Sequence, residues 1–173
     1  MKLWACLAAV LSVFLIGNMQ AAWASPSATV LSTHGAWKVH SFIDAGKKVC
    51  FISGQPHKQE GKYKRRGMVQ FFITHWAGEK DRNVVSISAG YSYRKDSQAT
   101  VTIDGKAYKL STQGEMAWSH SQTMDDAITT AVQSGGLMVV EGVSTRGTRT
   151  TDTYDLKDMP AAYAAFVTAC APQ

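Results

Sequence analysis

A strictly alternating segment followed by a two-residue turn constrains the fold of this chain more than any other feature of its sequence. Residues 99–103 read Ala-Thr-Val-Thr-Ile, and Asp104-Gly105 follows directly. Asp-Gly is typical of the type I′ turn between adjacent antiparallel strands, because both of its residues readily adopt positive φ. The turn sets the register, so Val101 is expected to pair with Tyr108. The hairpin then has one apolar and one mainly polar face, as a half-buried sheet requires.

Further strand-like runs surround this hairpin and alternate with turn signals, giving about eight or nine strands in all. Met68–Ile73 is an apolar run broken only by Gln70, which predicts a strand buried on both faces. Residues 137–143 predict another strand, and residues 148–156 a polar, Thr-rich one. Three tryptophans flanked by strand-like sequence are expected in the core: Trp37, Trp76 and Trp118.

Two helices interrupt the strands. The first is expected to be capped by Thr123 and to end at Gly135-Gly136. The second is expected to begin near Asp158, with Pro160 in its first turn. Its core-facing side is predicted from the helical spacing of four residues: Tyr163, Phe166, Val167 and Cys170. The pattern of elements predicts a mainly antiparallel β-sandwich with two short helices.

The N-terminal segment has the composition of an export signal. Lys2 provides a positive charge, residues 3–16 form an apolar run, and Ala22-Trp23-Ala24 gives a small-x-small cleavage site. Residues 17–20 end the run before the roughly 20 apolar residues that a membrane span requires. We expect residues 1–24 to be a cleavable signal peptide. Residues 25–173 would then form one domain that lacks a transmembrane span and works outside the cytoplasm.

The predicted mature chain keeps two cysteines, Cys50 and Cys170. An even count in an exported protein favours a disulfide, which would close a long loop and add ~4–5 kcal/mol in the chain-entropy treatment. Free buried thiols or a metal pair are the alternatives. Without a CxxC or nearby CxH spacing, the metal pair is disfavoured.

The charge balance is mildly basic. The formal net charge of the chain is +5, and removal of the signal peptide with Lys2 lowers it by one. This favours anionic partners only weakly. It is well below the strong basic signature of nucleic-acid-binding proteins, so no nucleic-acid partner is expected.

No catalytic motif is present. The sequence has no G-x-S-x-G elbow, H-E-x-x-H, P-loop or G-x-G-x-x-G. Its five histidines are scattered without the spacing of metal ligands. The sequence therefore predicts no catalytic residues, no bound metal and no cofactor.

A basic run lies between two predicted strands and is interrupted by Glu60 as its only acid. Its cations are Lys58, Lys62, Lys64, Arg65 and Arg66. One interpretation is a loop tip or a strand edge protected by charge. The other is a contact with an anionic surface such as lipid A phosphates, acidic glycans or phospholipid headgroups. Tyr63 is the only interleaved aromatic residue, which argues against stacking on single-stranded nucleic acid.

The densest polar stretch is residues 144–154, in which Arg146-Gly147 predicts a tight turn. Its threonines with Arg146 and Arg149 have the chemistry to bind a carboxylate or a sugar. The alternative is a structural Arg–Asp network, for instance through Asp152.

The chain resembles the invasion-associated locus B family of exported bacterial proteins. The resemblance rests on Ile73-Thr74-His75, Val85-Ser86, Gly90-Tyr91, Ala117-Trp118, residues 144–156 and Ala169-Cys170, with Trp37 and residues 50–53 fitting the family's opening. The run from Arg146 to Leu156 is the most specific part. Departures are Lys157-Asp158-Met159, where the family usually has a glycine, and His40, where some relatives carry another cysteine.

This resemblance implies an immunoglobulin-like β-sandwich in a periplasmic or outer-surface protein of a Gram-negative bacterium. It transfers no catalytic residues. The function it favours is a non-enzymatic binding or interaction protein in the periplasm or at the envelope, with an unknown envelope component or anionic surface as partner. The alternatives are a surface-exposed adhesion factor that contributes to host-cell invasion, and a hydrolase without a recognisable motif.

Overall fold

The computed structural model describes residues 28–78 and 82–171. The predicted signal peptide, residues 1–24, lies outside the described residues. The strands are β1 (Thr29–His34), β2 (Trp37–Asp44), β3 (Lys47–Gly54), β4 (Lys58–Gly61), β5 (Gln70–Trp76), β6 (Val84–Ser88), β7 (Gln98–Ile103), β8 (Lys106–Gln113), β9 (Met116–Trp118), β10 (Leu137–Val143) and β11 (Arg149–Asp155). The helices are α1 (Gln122–Ser134) and α2 (Met159–Ala169).

The strands form one antiparallel sheet in the order β1-β2-β3-β5-β6-β9-β8-β7-β10-β11-β4. The sheet folds over on itself, because residues from strands far apart in this order meet in the core. Trp37 on β2 stacks on Tyr154 of β11 with ring centroids 6.2 Å apart, and its indole N–H donates to the carbonyl of Asp155 at 3.0 Å. A mainly antiparallel, sandwich-like β fold with two helices was predicted, and it is confirmed.

The hairpin of β7 and β8 has the predicted register, with Val101 opposite Tyr108. Both turn residues have positive φ, 44° at Asp104 and 87° at Gly105, as a type I′ turn requires. The Asp104 carboxylate also accepts hydrogen bonds from the backbone N–H groups of Gly136 and Leu137, at 3.0 and 3.1 Å. The turn therefore anchors the start of β10 as well as the hairpin.

The strand count from sequence was too low, since the described residues alone form eleven strands. Thr29–His34 form the edge strand β1, and Lys58–Gly61, at the start of the basic run for which a loop tip or a charge-protected strand edge was predicted, form β4 at the other edge. The run at 68–73 is not buried on both faces. In β5, Phe71 and Ile73 are buried and Phe72 is only partly buried, so the strand alternates like its neighbours.

Helix α1 is capped two residues earlier than predicted. Its cap is Ser121, whose hydroxyl accepts from the backbone N–H of Met124 at 3.2 Å, and Gly135 ends the helix as predicted. Helix α2 has Asp158 at its cap and a proline in its first turn, also as predicted. Its buried face, however, is rotated from the predicted one. The buried positions are Met159, Ala162, Phe166 and Cys170.

Two of the apolar residues predicted for the core, Val167 and Trp118, are exposed. Val167 is 50% exposed, because it lies beside the buried face of α2 and not on it. Trp37 is buried as predicted, whereas Trp76 is partly buried and Trp118 is 39% exposed. Trp118 pairs with Ser86 and Ser111 of the neighbouring strands, so its side chain shares their outer face of the sheet.

The disulfide between Cys50 and Cys170 is present and ties the end of α2 to the middle of β3. The two Cα atoms are 5.9 Å apart, and both residues are buried. The Lys48 ammonium group donates to the carbonyl of Ala169 at 2.6 Å, beside the same junction. The helix and the sheet are therefore held together at this point by both a covalent bond and a hydrogen bond.

Candidate functional site

Most of the cations predicted as ligand contacts gather around two adjoining hollows. The first, which we call the basic pocket, is a cavity of about 520 Å³. Its cationic lining is Lys62, Lys64, Arg65, Arg66 and Arg146, and its main hydroxyl groups are those of Tyr91, Ser144, Thr145, Thr148 and Thr150. The second, which we call the side groove, is about 440 Å³ and is lined by Gly61, Lys62, Arg146, Gly147, Thr148 and Arg149.

Strand pairing brings the two polar segments together. β4 pairs with the start of β11, with Gly61 opposite Thr150, so residues 62–66 leave β4 directly beside the turn that precedes β11. That turn is closed by hydrogen bonds from the backbone N–H of Gly147 to the carbonyl of Ser144 at 2.9 Å and from the Thr148 N–H to the Ser144 hydroxyl at 3.2 Å. The predicted tight turn at Arg146-Gly147 is therefore present, and it holds Arg146 opposite the 62–66 segment.

Arg66 forms the floor of the pocket and is held by protein partners. Its guanidinium donates two hydrogen bonds of 2.6 Å to the two carboxylate oxygens of Asp152, and its Nε donates to the carbonyl of Ala89 at 2.7 Å. The side chains of Arg66 and Asp152 are 4% and 2% exposed. Arg66 was predicted as a possible ligand contact; it lines the basic pocket, and its charge is balanced by Asp152.

The rings of two tyrosines contact this arginine. The Arg66 guanidinium carbon lies 5.5 Å from the ring centroid of Tyr63 and 5.0 Å from that of Tyr91, distances typical of cation–π contacts. The Tyr91 hydroxyl is 2.7 Å from the hydroxyl of Thr150 on β11. These contacts therefore join the 62–66 segment to the loop after β6 and to β11.

The contacts of Arg66 and Tyr91 shift the pKa of both groups upward. Burial lowers the pKa of the Arg66 guanidinium, but the hydrogen bond and charge of Asp152 outweigh that effect and leave the pKa above its usual value. Burial raises the pKa of the Tyr91 phenol, although its hydrogen bond to Thr150 and the charge of Arg66 act in the opposite direction.

A close backbone approach holds the other end of the 62–66 segment. The N–H of Gly67 donates to the carbonyl of Gly90 at 2.8 Å. Gly90 has φ of +67°, and a Cβ atom at this position would collide with the Gly67 carbonyl. Glycine is therefore required at position 90 both by conformation and by space, and the segment is fixed at both ends.

The cations at the rim differ from Arg66 in having no partner among the described residues. Lys62, Lys64, Arg65 and Arg146 are exposed, and none of them is paired with another residue in the described ranges. The same is true of Arg149, which lines the side groove. Lys58, by contrast, pairs with Glu60 at 3.0 Å on β4 and lines neither hollow.

The Arg–Asp network that was the structural alternative for Arg146 and Arg149 is not formed among the described residues, because Asp152 is paired with an arginine of the basic run. Asp152 pairs with Arg66, 86 residues away, and not with Arg146 or Arg149. Side chains of β11 alternate between the two faces of the sheet, so Asp152 and Arg149 point in different directions. Thr150, Asp152 and Tyr154 are buried, while Arg149 is exposed at the start of the strand.

A metal site is not formed in the described part of the chain. No group of three or more His, Cys, Asp or Glu side chains within residues 28–78 and 82–171 is placed to hold a metal ion. The buried Asp125 accepts from the backbone N–H of Val85 at 2.8 Å and thereby fixes α1 to β6. No helix among these residues is long and apolar enough to cross a membrane.

The similarity to known proteins covers most of the chain and not the site alone. The fold is similar to that of the crystal structure of invasion associated protein b from Bartonella henselae, with a TM-score of 0.58 and 17% identity over 80% of this chain and 95% of the other. No curated protein matches the sequence. The family model for the invasion associated locus B (IalB) protein matches residues 37–167, a span that includes β2 to β11, both hollows and most of α2. The chain belongs to the invasion associated locus B family.

Proposed function

We propose that this chain is an exported, envelope-associated binding protein without catalytic activity, whose basic pocket and side groove take an anionic ligand. The observation that carries the proposal is the contrast between Arg66 and its neighbours. Arg66 is neutralised by Asp152, whereas Lys62, Lys64, Arg65 and Arg146 surround the same cavity without a partner among the described residues.

The scaffold under these cations favours binding. The 62–66 segment is held by β4, by the Gly67–Gly90 contact and by the Arg66–Asp152 pair, so little backbone freedom is lost when a ligand is bound. The cavity of about 520 Å³ is within the range of roughly 300–1,000 Å³ found for ligand sites. Arginine and lysine side chains form charge-assisted hydrogen bonds with carboxylates and phosphates.

The lining supports a binding role over a catalytic one. General acid–base catalysis needs a group that titrates near the working pH. The lining of the basic pocket contains no His, Cys, Asp or Glu among the described residues, and burial raises the pKa of Tyr91 above the usual phenol value. A hydrolase at this site would lack a base.

Retention on envelope fragments tests the binding proposal. The wild-type protein and the variant R65A/R146A are mixed with sedimented Gram-negative envelope fragments at low and high salt. The matched control K95A/K157A removes the same charge from exposed positions that line neither hollow. We expect salt-sensitive retention of wild type and control and loss of retention for R65A/R146A. Equal retention of all three would overturn the proposal.

Export is tested separately by cell fractionation. We expect the protein in the periplasmic or membrane-associated fraction, with an N-terminus at residue 25. Recovery of the intact chain from the cytoplasm would contradict this part of the proposal.

A second candidate function is a surface-exposed factor that contributes to host-cell invasion. It is favoured by the name of the family and by the name of the structurally similar Bartonella henselae protein. Protease added to intact cells separates the two candidates, because only a surface-exposed protein is digested before the outer membrane is opened.

A further inference from the structure

The two hollows are parts of one surface. Lys62, Arg146 and Thr148 line both of them, so these residues form a shared ridge. Lys64 and Arg65 line the basic pocket and not the side groove, whereas Arg149 lines the side groove and not the basic pocket. Unpaired cations are therefore present on the ridge and on both sides of it.

We infer that the basic pocket and the side groove bind successive units of one acidic oligosaccharide, which crosses the ridge of Lys62 and Arg146. This inference rests on the proposed function and specifies its ligand. A single small anion would occupy one hollow and leave the cations of the other unpaired. A chain with an acidic group on successive sugar units places negative charge in both hollows at once.

The polar lining matches the hydroxyl groups of a sugar. Beside the cations, the pocket presents the side chains of Ser144, Thr145 and Thr148. The hydroxyls of Thr145 and Thr148 make no hydrogen bond to another side chain or backbone group in the described residues, so they are available to a ligand. A hydroxyl both donates and accepts, as do the hydroxyls of a sugar ring.

The same lining is poorly suited to nucleic acid. Binding of single strands relies on aromatic side chains on which successive bases stack. Tyr63 is 37% exposed, but one of its faces lies against the Arg66 guanidinium. Tyr91 is partly buried, and its ring also contacts that guanidinium. No second free aromatic face lines either hollow.

A lipid surface fits less well for a related reason. Membrane-binding surfaces combine cations with apolar side chains that enter the headgroup region. Neither hollow has an aliphatic side chain in its lining. The acidic oligosaccharide remains the ligand class that satisfies both the charges and the hydroxyls.

Length dependence of binding tests the inference. Galacturonate and its tetramer and hexamer are titrated into the folded mature protein by calorimetry, together with a heparin-derived hexasaccharide as a sulfated counterpart. We expect the galacturonate hexamer or the heparin-derived hexasaccharide to bind at least about tenfold more tightly than galacturonate. Arg149→Ala should remove most of this gain, because it removes the cation that lines the side groove and not the basic pocket. Arg65→Ala should weaken both ligands. Lys95→Ala is the control and should change neither.

The contrary results separate this inference from the function on which it rests. Binding that does not increase with length, combined with loss of galacturonate binding in Arg65→Ala, would overturn the two-hollow inference and leave a single anion site. Increased affinity with length that survives Arg149→Ala would place the ligand on another surface and also overturn it. Equal binding of an oligothymidylate of matched charge would overturn the saccharide assignment. Absence of binding of every anion to the wild-type protein would overturn the proposed function as well.

Discussion

Arg66 and Asp152 are joined by two hydrogen bonds of 2.6 Å between side chains that are almost completely buried. The pair lies between the 62–66 segment and β11, under the exposed cations of the basic pocket. It therefore determines the shape of the site without being available to a ligand.

Removal of one partner of this pair is expected to destabilise the protein strongly. Arg66→Ala leaves the Asp152 carboxylate buried without a counter-ion, and such changes typically lower the free energy of unfolding by about 3–5 kcal/mol. Arg65→Ala is the matched control, because Arg65 is exposed and unpaired among the described residues. Urea denaturation measures both variants. A loss below about 1 kcal/mol for Arg66→Ala would show that the pair is not buried in solution.

Two tyrosines near this pair should respond oppositely to loss of their hydroxyl group. The Tyr91 hydroxyl bonds to the buried Thr150, so Tyr91→Phe should lower stability by about 0.5–1.5 kcal/mol. The Tyr154 hydroxyl is buried with no hydrogen-bond partner among the described residues, so Tyr154→Phe should leave stability unchanged or raise it by about 1 kcal/mol. Denaturation curves in which Tyr154→Phe is less stable than Tyr91→Phe would contradict the absence of a hydrogen-bond partner for the Tyr154 hydroxyl among the described residues.

The disulfide is expected to contribute substantially to stability, since its cysteines are separated by 120 positions. Replacement of both cysteines by alanine should lower the free energy of unfolding by about 2–5 kcal/mol. Peptide mapping without reductant should recover a Cys50–Cys170 linked pair from the wild-type protein. Alkylation of both thiols in unreduced, denatured protein would show that the bond is absent.

The histidine at position 40 should make the protein less stable in acid. Its ring stacks on Phe51 and lies 2.9 Å from the Ser53 hydroxyl, and burial, followed by the charge of Lys38, lowers its pKa below 6.5. The unfolded chain therefore takes up the proton first as the pH falls. The stability that neutral His40 contributes is complete above about pH 6.5 and is lost as the pH decreases toward its folded-state pKa.

The His40→Gln variant tests this sign. Between about pH 7 and pH 5 its unfolding free energy should fall less steeply than that of wild type. His75, whose pKa is also lowered, first by burial and then by Arg82, should keep part of the pH dependence in the variant. Identical slopes for variant and wild type would contradict the role of His40.

Local chemistry explains which parts of the fold the sequence predicts well. The β7–β8 register follows from Asp104-Gly105 alone, because a two-residue turn leaves no freedom in pairing. The face of α2 was predicted less accurately. Its apolar residues extend around much of the helix, so spacing alone does not distinguish Val167, which is exposed, from Met159, which is buried.

The site was predicted only in part, for a different physical reason. The basic run and Arg146 were recognised as separate segments, and their meeting depends on the pairing of β4 with β11. The role of Arg66 depends on Asp152, 86 residues away. Nothing in the local sequence distinguishes Arg66, which is buried and paired, from the adjacent Arg65, which is exposed.

Residue-resolved mapping of anion binding tests the central claim most directly. Galacturonate and inorganic phosphate are titrated separately into isotope-labelled mature protein, and backbone amide shifts are followed by NMR. We predict that the shifts cluster at residues 62–66 and 144–149 and are lost in Arg146→Ala, with the melting temperature of this variant nearly unchanged. Shifts spread over exposed cations elsewhere, such as Lys95 and Lys157, or a drop of several degrees in melting temperature for Arg146→Ala, would contradict the claim that these residues form a ligand-binding surface.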